Sequence, residues 1–309
     1  MSSHSSTMPE FFGSQRTEPI LSPTNPFMWS LRREIWEYRS IYLAPAAVAA
    51  VFLLGFLVTL VHLPDKVRAV QGIDAMRYRE VVAAPYDFIA GLMMLTGILV
   101  SVFYCVDALY GERRDRSILF WKSLPVSDLT AVLAKATVPL VVVPLVTFAT
   151  AIAAQTIMLI VTSVVFLANG LSVGMLWQQI SFFQMSMLLL YHLFAAHALW
   201  PFPVYCWLLL VSAWARRAVF LWAILPLVAI AGFERLLFHS NQFVMMVATR
   251  FIGAAHSTTM EHGDVFPTNP MTHITPFRYL GSPGLWMGLF VAAAFLFAAA
   301  RLRRDRGPV

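Results

Sequence analysis

The chain has 309 residues, 59% of them hydrophobic and only 12% charged, with a formal net charge of +6 and a mean hydropathy of +0.70. A soluble domain carries about 25% charged residues, so this chain needs a bilayer as its solvent. No basic run meets a base-stacking platform, which argues against a nucleic-acid partner. Cys105 and Cys206 both lie in apolar segments, which excludes a disulfide scaffold and a CxxC metal or redox motif.

Residues 1–24 are polar, rich in Ser, Thr and Pro, and lack an apolar core, so a disordered tail is expected there rather than a signal peptide. Asn25-Pro26 reads as a helix start, an N-cap with proline at the first helical position. Phe27, Leu31, Ile35, Tyr38 and Tyr42 then recur at helical spacing, with Arg32, Arg33, Glu34, Glu37 and Arg39 on the other face. This predicts an amphipathic helix in the membrane interface, with Trp29 and Trp36 at headgroup depth.

Six membrane spans follow, at about residues 43–61, 88–106, 137–167, 182–215, 218–233 and 284–300. The first two are about 28 Å long at helical rise, which suits a hydrocarbon core of roughly 30 Å. The third begins inside a helix expected to start near Ser127. Pro201 and Pro203 should kink the fourth. The fifth could continue to Phe238. Residues 239–283 form a long outer loop in which 241–255 reads as a short helix resting on the outer leaflet. Gly284, Gly288 and Ala292 make a small-residue stripe that predicts close helix packing.

Charge sets the expected orientation. With both termini cytoplasmic, fifteen of the 22 Lys and Arg residues fall on inner segments, as the positive-inside rule requires. The fold class is therefore all-α: an amphipathic interfacial helix and a six-helix membrane domain over 25–305.

Among chemistry-bearing patterns, no Walker A sequence, HExxH, GxSxG or SxxK occurs. If ATP drives this protein, another chain hydrolyses it. His192 and His197 are five apart, on opposing sides of a regular helix, and form no ligand pair. His256, Glu261, His262, Asp264 and His273 read as solvated loop residues, so no metal site is assigned. Gln155, Gln184, His192 and His197 are polar residues inside spans. They could line a translocation path or make interhelical hydrogen bonds.

The most informative segment is 107–135, DALYGERRDRSILFWKSLPVSDLTAVLAK. Charged residues, among them Glu112, Arg113, Arg114 and Arg116, surround a short apolar run, Ile118 to Trp121, closed by Leu124-Pro125. Ser127 should cap the next helix, with Asp128 in its first turn.

This order of elements resembles the permeases of bacterial type-2 ABC exporters. The likeness rests on Glu112-Arg113, the turn Ser123-Leu124-Pro125-Val126-Ser127 and Lys135. It implies a non-catalytic subunit of the bacterial inner membrane, paired with a second permease copy as homo- or heterodimer. A cytoplasmic ABC ATPase would carry the ATP and Mg, and this chain would bind no cofactor. Coupling to that ATPase would fall on Glu112, Arg113, Arg114, Arg116, Ile118, Phe120, Trp121, Leu124 and Pro125. Two other classes of membrane protein would leave different marks. A gradient-driven carrier should show carboxylates deep in its spans, and none does. A membrane enzyme or haem protein should show convergent histidines or a nucleophile–base set.

Overall fold

A computed structural model describes residues 25–70, 75–122, 126–252 and 279–305. The expected tail 1–24, the turn residues Leu124 and Pro125, and the loop residues His256, Glu261, His262, Asp264 and His273 lie outside them. All regular structure among the described residues is helical. Six helical segments are long and apolar enough to cross a membrane, which makes this a multi-pass membrane protein.

Helix α1 (Pro26–Glu37) starts where the sequence places it: the Asn25 Oδ1 accepts from the Phe27 N–H at 3.2 Å, and proline occupies the first turn. After a short break at Tyr38 the chain enters α2 (Ser40–Leu60), followed by α3 (Leu63–Val70) and α4 (Ala75–Asp107). Helix α4 starts thirteen residues before the predicted second span and keeps Pro85 within it. The segment 107–135 folds as α5 (Tyr110–Arg114), α6 (Ser117–Lys122) and the start of α7 (Asp128–Thr137). Ser127 caps α7 by accepting from the Thr130 N–H at 3.1 Å.

Helix α7 runs through a π-helical turn, Val138–Val142, into α8 (Val143–Ala168). Pro139 and Pro144 each lack an N–H donor, and a widened turn is one way a helix absorbs that loss without ending. After α9 (Val173–Gln179), the predicted fourth span is divided. Helix α10 (Phe182–Phe194) passes into a second π-turn, Ala195–Leu199, stops at Trp200-Pro201, and resumes as α11 (Phe202–Trp214). Two prolines a residue apart break this helix rather than merely bend it. Side-chain donors brace the break: Tyr205 Oη bonds to the His197 carbonyl at 3.0 Å, and Tyr279 Oη bonds at 2.7 Å to the Ala195 carbonyl, which also accepts from the Trp200 N–H.

Helix α12 (Val219–Phe238) reaches the longer of the two expected ends. The Glu234 carboxylate then accepts from the N–H groups of Gln242 and Phe243, capping α13 (Gln242–Ile252). The last helix is α14 (Pro283–Asp305).

The core has two parts. One, beside α1 and α7, packs α11 against α14 through Cys206, Leu209, Ala213, Ala292 and Ala299, with Tyr104 and Val132 alongside. Small side chains let these two backbones approach closely. The other joins α2, α4, α8 and α10 through Phe56, Tyr86, Met93, Ala154, Met158 and Leu193. The small-residue stripe on α14 has a mixed role. Ala292 is buried in the core, but Gly288 faces the Arg250 guanidinium, where an added Cβ would lie 2.7 Å from Nη1. Gly284 similarly faces the Trp200 indole. Those glycines admit side chains rather than a neighbouring helix.

Candidate functional site

The charged end of the bundle, where α1, α5, α7 and α14 converge, holds an ion cluster centred on Glu112. Its side chain is 1% exposed, and its Oε1 accepts from Arg33 Nη2 at 2.6 Å and lies 3.3 Å from Lys135 Nζ. The other oxygen, Oε2, faces Arg303 Nη2 at 3.2 Å. Lys135 also donates to Glu34 Oε1 at 2.8 Å, Tyr104 Oη donates to Glu34 Oε2 at 2.8 Å, and Arg303 Nη1 reaches Asp128 Oδ1 at 2.6 Å. Three carboxylates (Glu34, Glu112, Asp128) thus meet three cations (Arg33, Lys135, Arg303). Burying so many charges costs several kcal/mol per ion unless each is paired and hydrogen-bonded. Here each has a partner.

Local sequence explains how the groups arrive. Glu34 follows Leu31 by three and precedes Tyr38 by four, so it lies on the stripe that α1 packs inward. It was expected on the polar outer face; it is instead 2% exposed. Lys135 comes two turns after the Ser127 cap and points into the same space. Gly111 supports the approach of α5 to α4, because a Cβ there would meet the Asp107 carboxylate at 3.1 Å. Asp107 also accepts from Tyr38 Oη at 3.3 Å.

Electrostatics follow the geometry. Burial works against the Arg33 charge, yet Glu112, Glu34 and Glu37 outweigh it and hold its guanidinium above its ordinary value. Burial, and then the Asp107 charge, push the Tyr38 phenol well up.

The residues of the 107–135 segment divide into two sets. Glu112, Arg113 and Ile118 point inward and are buried. Arg113 donates to the carbonyls of Ala213 and Ala215 at the end of α11, where the helix dipole favours a cation. Arg114, Arg116, Leu119 and Phe120 point outward, and Phe120 is 61% exposed. Trp121 is half-buried: its ring meets Phe120 edge-on at 4.9 Å and carries the Arg33 guanidinium 3.6 Å above its centroid. Of the apolar run Ile118 to Trp121, Leu119 and Phe120 therefore form the exposed tip, Ile118 is buried, and Trp121 is the base. Arg116 joins α5 to α6 at a φ of 57°, a left-handed turn that an arginine adopts only at some cost.

The polar residues inside spans fall in two places. Gln155 is fully buried and donates to the Tyr86 carbonyl across to α4 at 3.2 Å, and Gln184 is half-buried on α10. His192 lies one turn before the second π-turn and His197 inside it, and each turns Nδ1 to a backbone carbonyl of its own segment, Leu188 and His192. Widening of that turn brings residues five apart nearer one face than a regular helix does. Among the described residues no group of three or more His, Cys, Asp or Glu gathers as a metal site.

Sequence reasoning treated Arg33, Glu34 and Arg303 only as membrane-surface charges. The available signal was that Glu34 interrupts an apolar stripe. Compared with protein-family models, curated proteins and solved structures, the chain matches none.

Proposed function

We propose that this chain is the membrane subunit of an ATP-driven exporter of the type-2 ABC kind, with both termini and segment 107–135 cytoplasmic. A partner ATPase docks on the exposed side of α6 and hydrolyses the ATP. Two permease copies, alike or different, enclose the path. The observation that carries this reading is the buried Glu112 cluster directly behind an exposed apolar tip.

Glu112 binds side chains from α1, α7 and α14, and Arg113 binds the end of α11. Trp121 on α6 is held beneath Arg33 of α1. A push on Leu119 and Phe120 is therefore delivered to four helices together instead of being absorbed by a soft loop. Packed, ion-paired elements of this kind shift as rigid bodies. A gradient-driven carrier is less well supported: the buried carboxylates Glu34 and Glu112 lie at the bundle's charged end and are already paired with cations.

The test is reconstitution. The purified chain alone should hydrolyse no ATP, because it has no phosphate-binding loop. Co-expression with an ABC ATPase encoded beside it, where one is found, should give a stable complex whose turnover depends on the ATPase's own catalytic residues. Sustained hydrolysis by this polypeptide alone, or failure of any neighbouring ATPase to bind it, would end the reading.

A further inference from the structure

Helix α1 presents two adjacent arginines with opposite fates. Arg33 turns inward and is used up by Glu112, Glu37 and the Trp121 ring. Arg32 turns outward and makes no ion pair with any described residue. Its guanidinium lies 5.7 Å from the Trp29 ring centroid and 4.6 Å from that of Trp36. Trp29, Arg32 and Trp36 recur at helical spacing opposite the stripe of Phe27, Leu31, Glu34 and Tyr38 that faces inward, and both indoles are more than half exposed. They border a shallow cleft of about 450 Å³ completed by Arg33 and Glu37. Arg39, also exposed, lies just beyond the break at Tyr38.

We propose that this cleft binds the headgroup of an anionic phospholipid, with the phosphate on Arg32 and the glycerol and upper acyl carbons against the two indoles. Four observations favour that occupant. Indoles prefer the depth where apolar and hydrated layers meet. A guanidinium stacked between them keeps its N–H edge free for a phosphate fork. Glu37, the acidic residue lining the cleft, is tied to Arg33 at 3.1 Å, so the local balance is positive. Helix α2 begins three residues after α1 ends and exposes Leu43, Val51, Leu54 and Val58, an apolar surface suited to lipid beside the cleft. The site requires only that the protein sits in a membrane and stands apart from the transport reading.

The full chain is placed in nanodiscs of phosphatidylcholine containing a minor share of phosphatidylglycerol. Either lipid carries bromine high on its acyl chain, so that it quenches nearby tryptophan. The cleft signal is the quenching that disappears in the Trp29→Phe/Trp36→Phe variant. Brominated phosphatidylglycerol should be enriched at the cleft about fivefold over brominated phosphatidylcholine, the preference one basic residue gives at an anionic surface. Arg32→Gln should abolish the preference, Arg32→Lys should keep part of it, and Arg301→Gln, another exposed arginine, should leave it intact. Quenching by the two lipids in proportion to their mole fractions, or a preference unmoved by Arg32→Gln, overturns the proposal. So does displacement by millimolar glycerol phosphate, which would show a site for the soluble phosphate. Absence of quenching by both lipids would mean that protein, a partner or a second copy, covers this face, and also overturns it.

Discussion

The ammonium of Lys135 lies 2.8 Å from a carboxylate oxygen of Glu34, and neither side chain is more than 2% exposed. One belongs to the helix leading into the third span and the other to the helix that precedes the first. The bond therefore fixes the N-terminal helix to the bundle rather than leaving it free at a surface.

Removing either partner should be costly. Lys135→Met leaves Glu34 with the more distant Arg33 guanidinium, at 4.0 Å, as its remaining cation and weakens the support of Glu112, and breaking a buried pair in this way costs about 3–5 kcal/mol. Glu34→Gln should fall in the same range. The double variant Glu34→Gln/Lys135→Met removes one charge of each sign and should cost less than the sum, with a coupling of at least about 1 kcal/mol. Thermal unfolding of the four proteins in one detergent measures this. Additive losses would show that the two side chains do not act as a pair.

Much of the fold was legible because lipid and helix periodicity leave strong marks. Unbroken apolar runs placed the spans, and Asn25-Pro26 and Ser127-Asp128 marked helix starts through their own capping chemistry. The division of the fourth span at Trp200-Pro201 was read too weakly, since a single proline bends a helix but two separated by one residue, next to a π-turn, end it. The candidate site was half legible. Glu112, Arg113 and Lys135 stood out in the charged segment, but their partners Arg33, Glu34 and Arg303 are distant in sequence. Nothing local says that Arg303, 191 residues from Glu112, completes its coordination. Gly288 misled for a related reason: a small residue shows that something approaches closely but not whether it is a helix or an arginine.

The topology is open to a direct measurement, because both native cysteines are buried and should stay silent to polar thiol reagents. Ser172, at the start of α9, and Arg304, near the end of α14, are both exposed. Cysteine at position 172 should react with an impermeant maleimide added to intact cells. Cysteine at position 304 should react only after permeabilisation. Labelling of both from the same side would refute an odd number of crossings between them.

Arg250 anchors α13 by donating to the Gly284 carbonyl at 2.9 Å while stacking on the Trp200 ring at 4.6 Å. Gly288→Val should push the guanidinium out of that seat, and Arg250→Met removes it outright. Each should loosen α13 by about 1–3 kcal/mol, read as faster hydrogen exchange across Gln242–Ile252. The combined variant should be no worse than the more severe single one, since both abolish the same contact. Additive effects would mean Gly288 serves some other neighbour.

The exposed tip of α6 gives the sharpest separation between folding and coupling. Leu119 and Phe120 are 59% and 61% exposed, so Leu119→Ala/Phe120→Ala should change thermal stability by no more than about 0.5 kcal/mol. If an ATPase groove receives this tip, truncation should weaken the complex by about 2 kcal/mol, close to thirtyfold in affinity. Trp121→Ala should behave differently. It removes the ring beneath Arg33 and thereby disturbs the hold on Glu112, so stability should fall by about 1–2 kcal/mol together with coupling. Phe183→Ala, an exposed phenylalanine at the start of α10, is the control and should spare ATPase binding. Binding is measured by titrating the ATPase onto each variant in nanodiscs, and coupling by the ATP turnover of the complex. Should Leu119→Ala/Phe120→Ala bind and stimulate the ATPase as the parent chain does, α6 is not the contact and the exporter reading loses its main structural support.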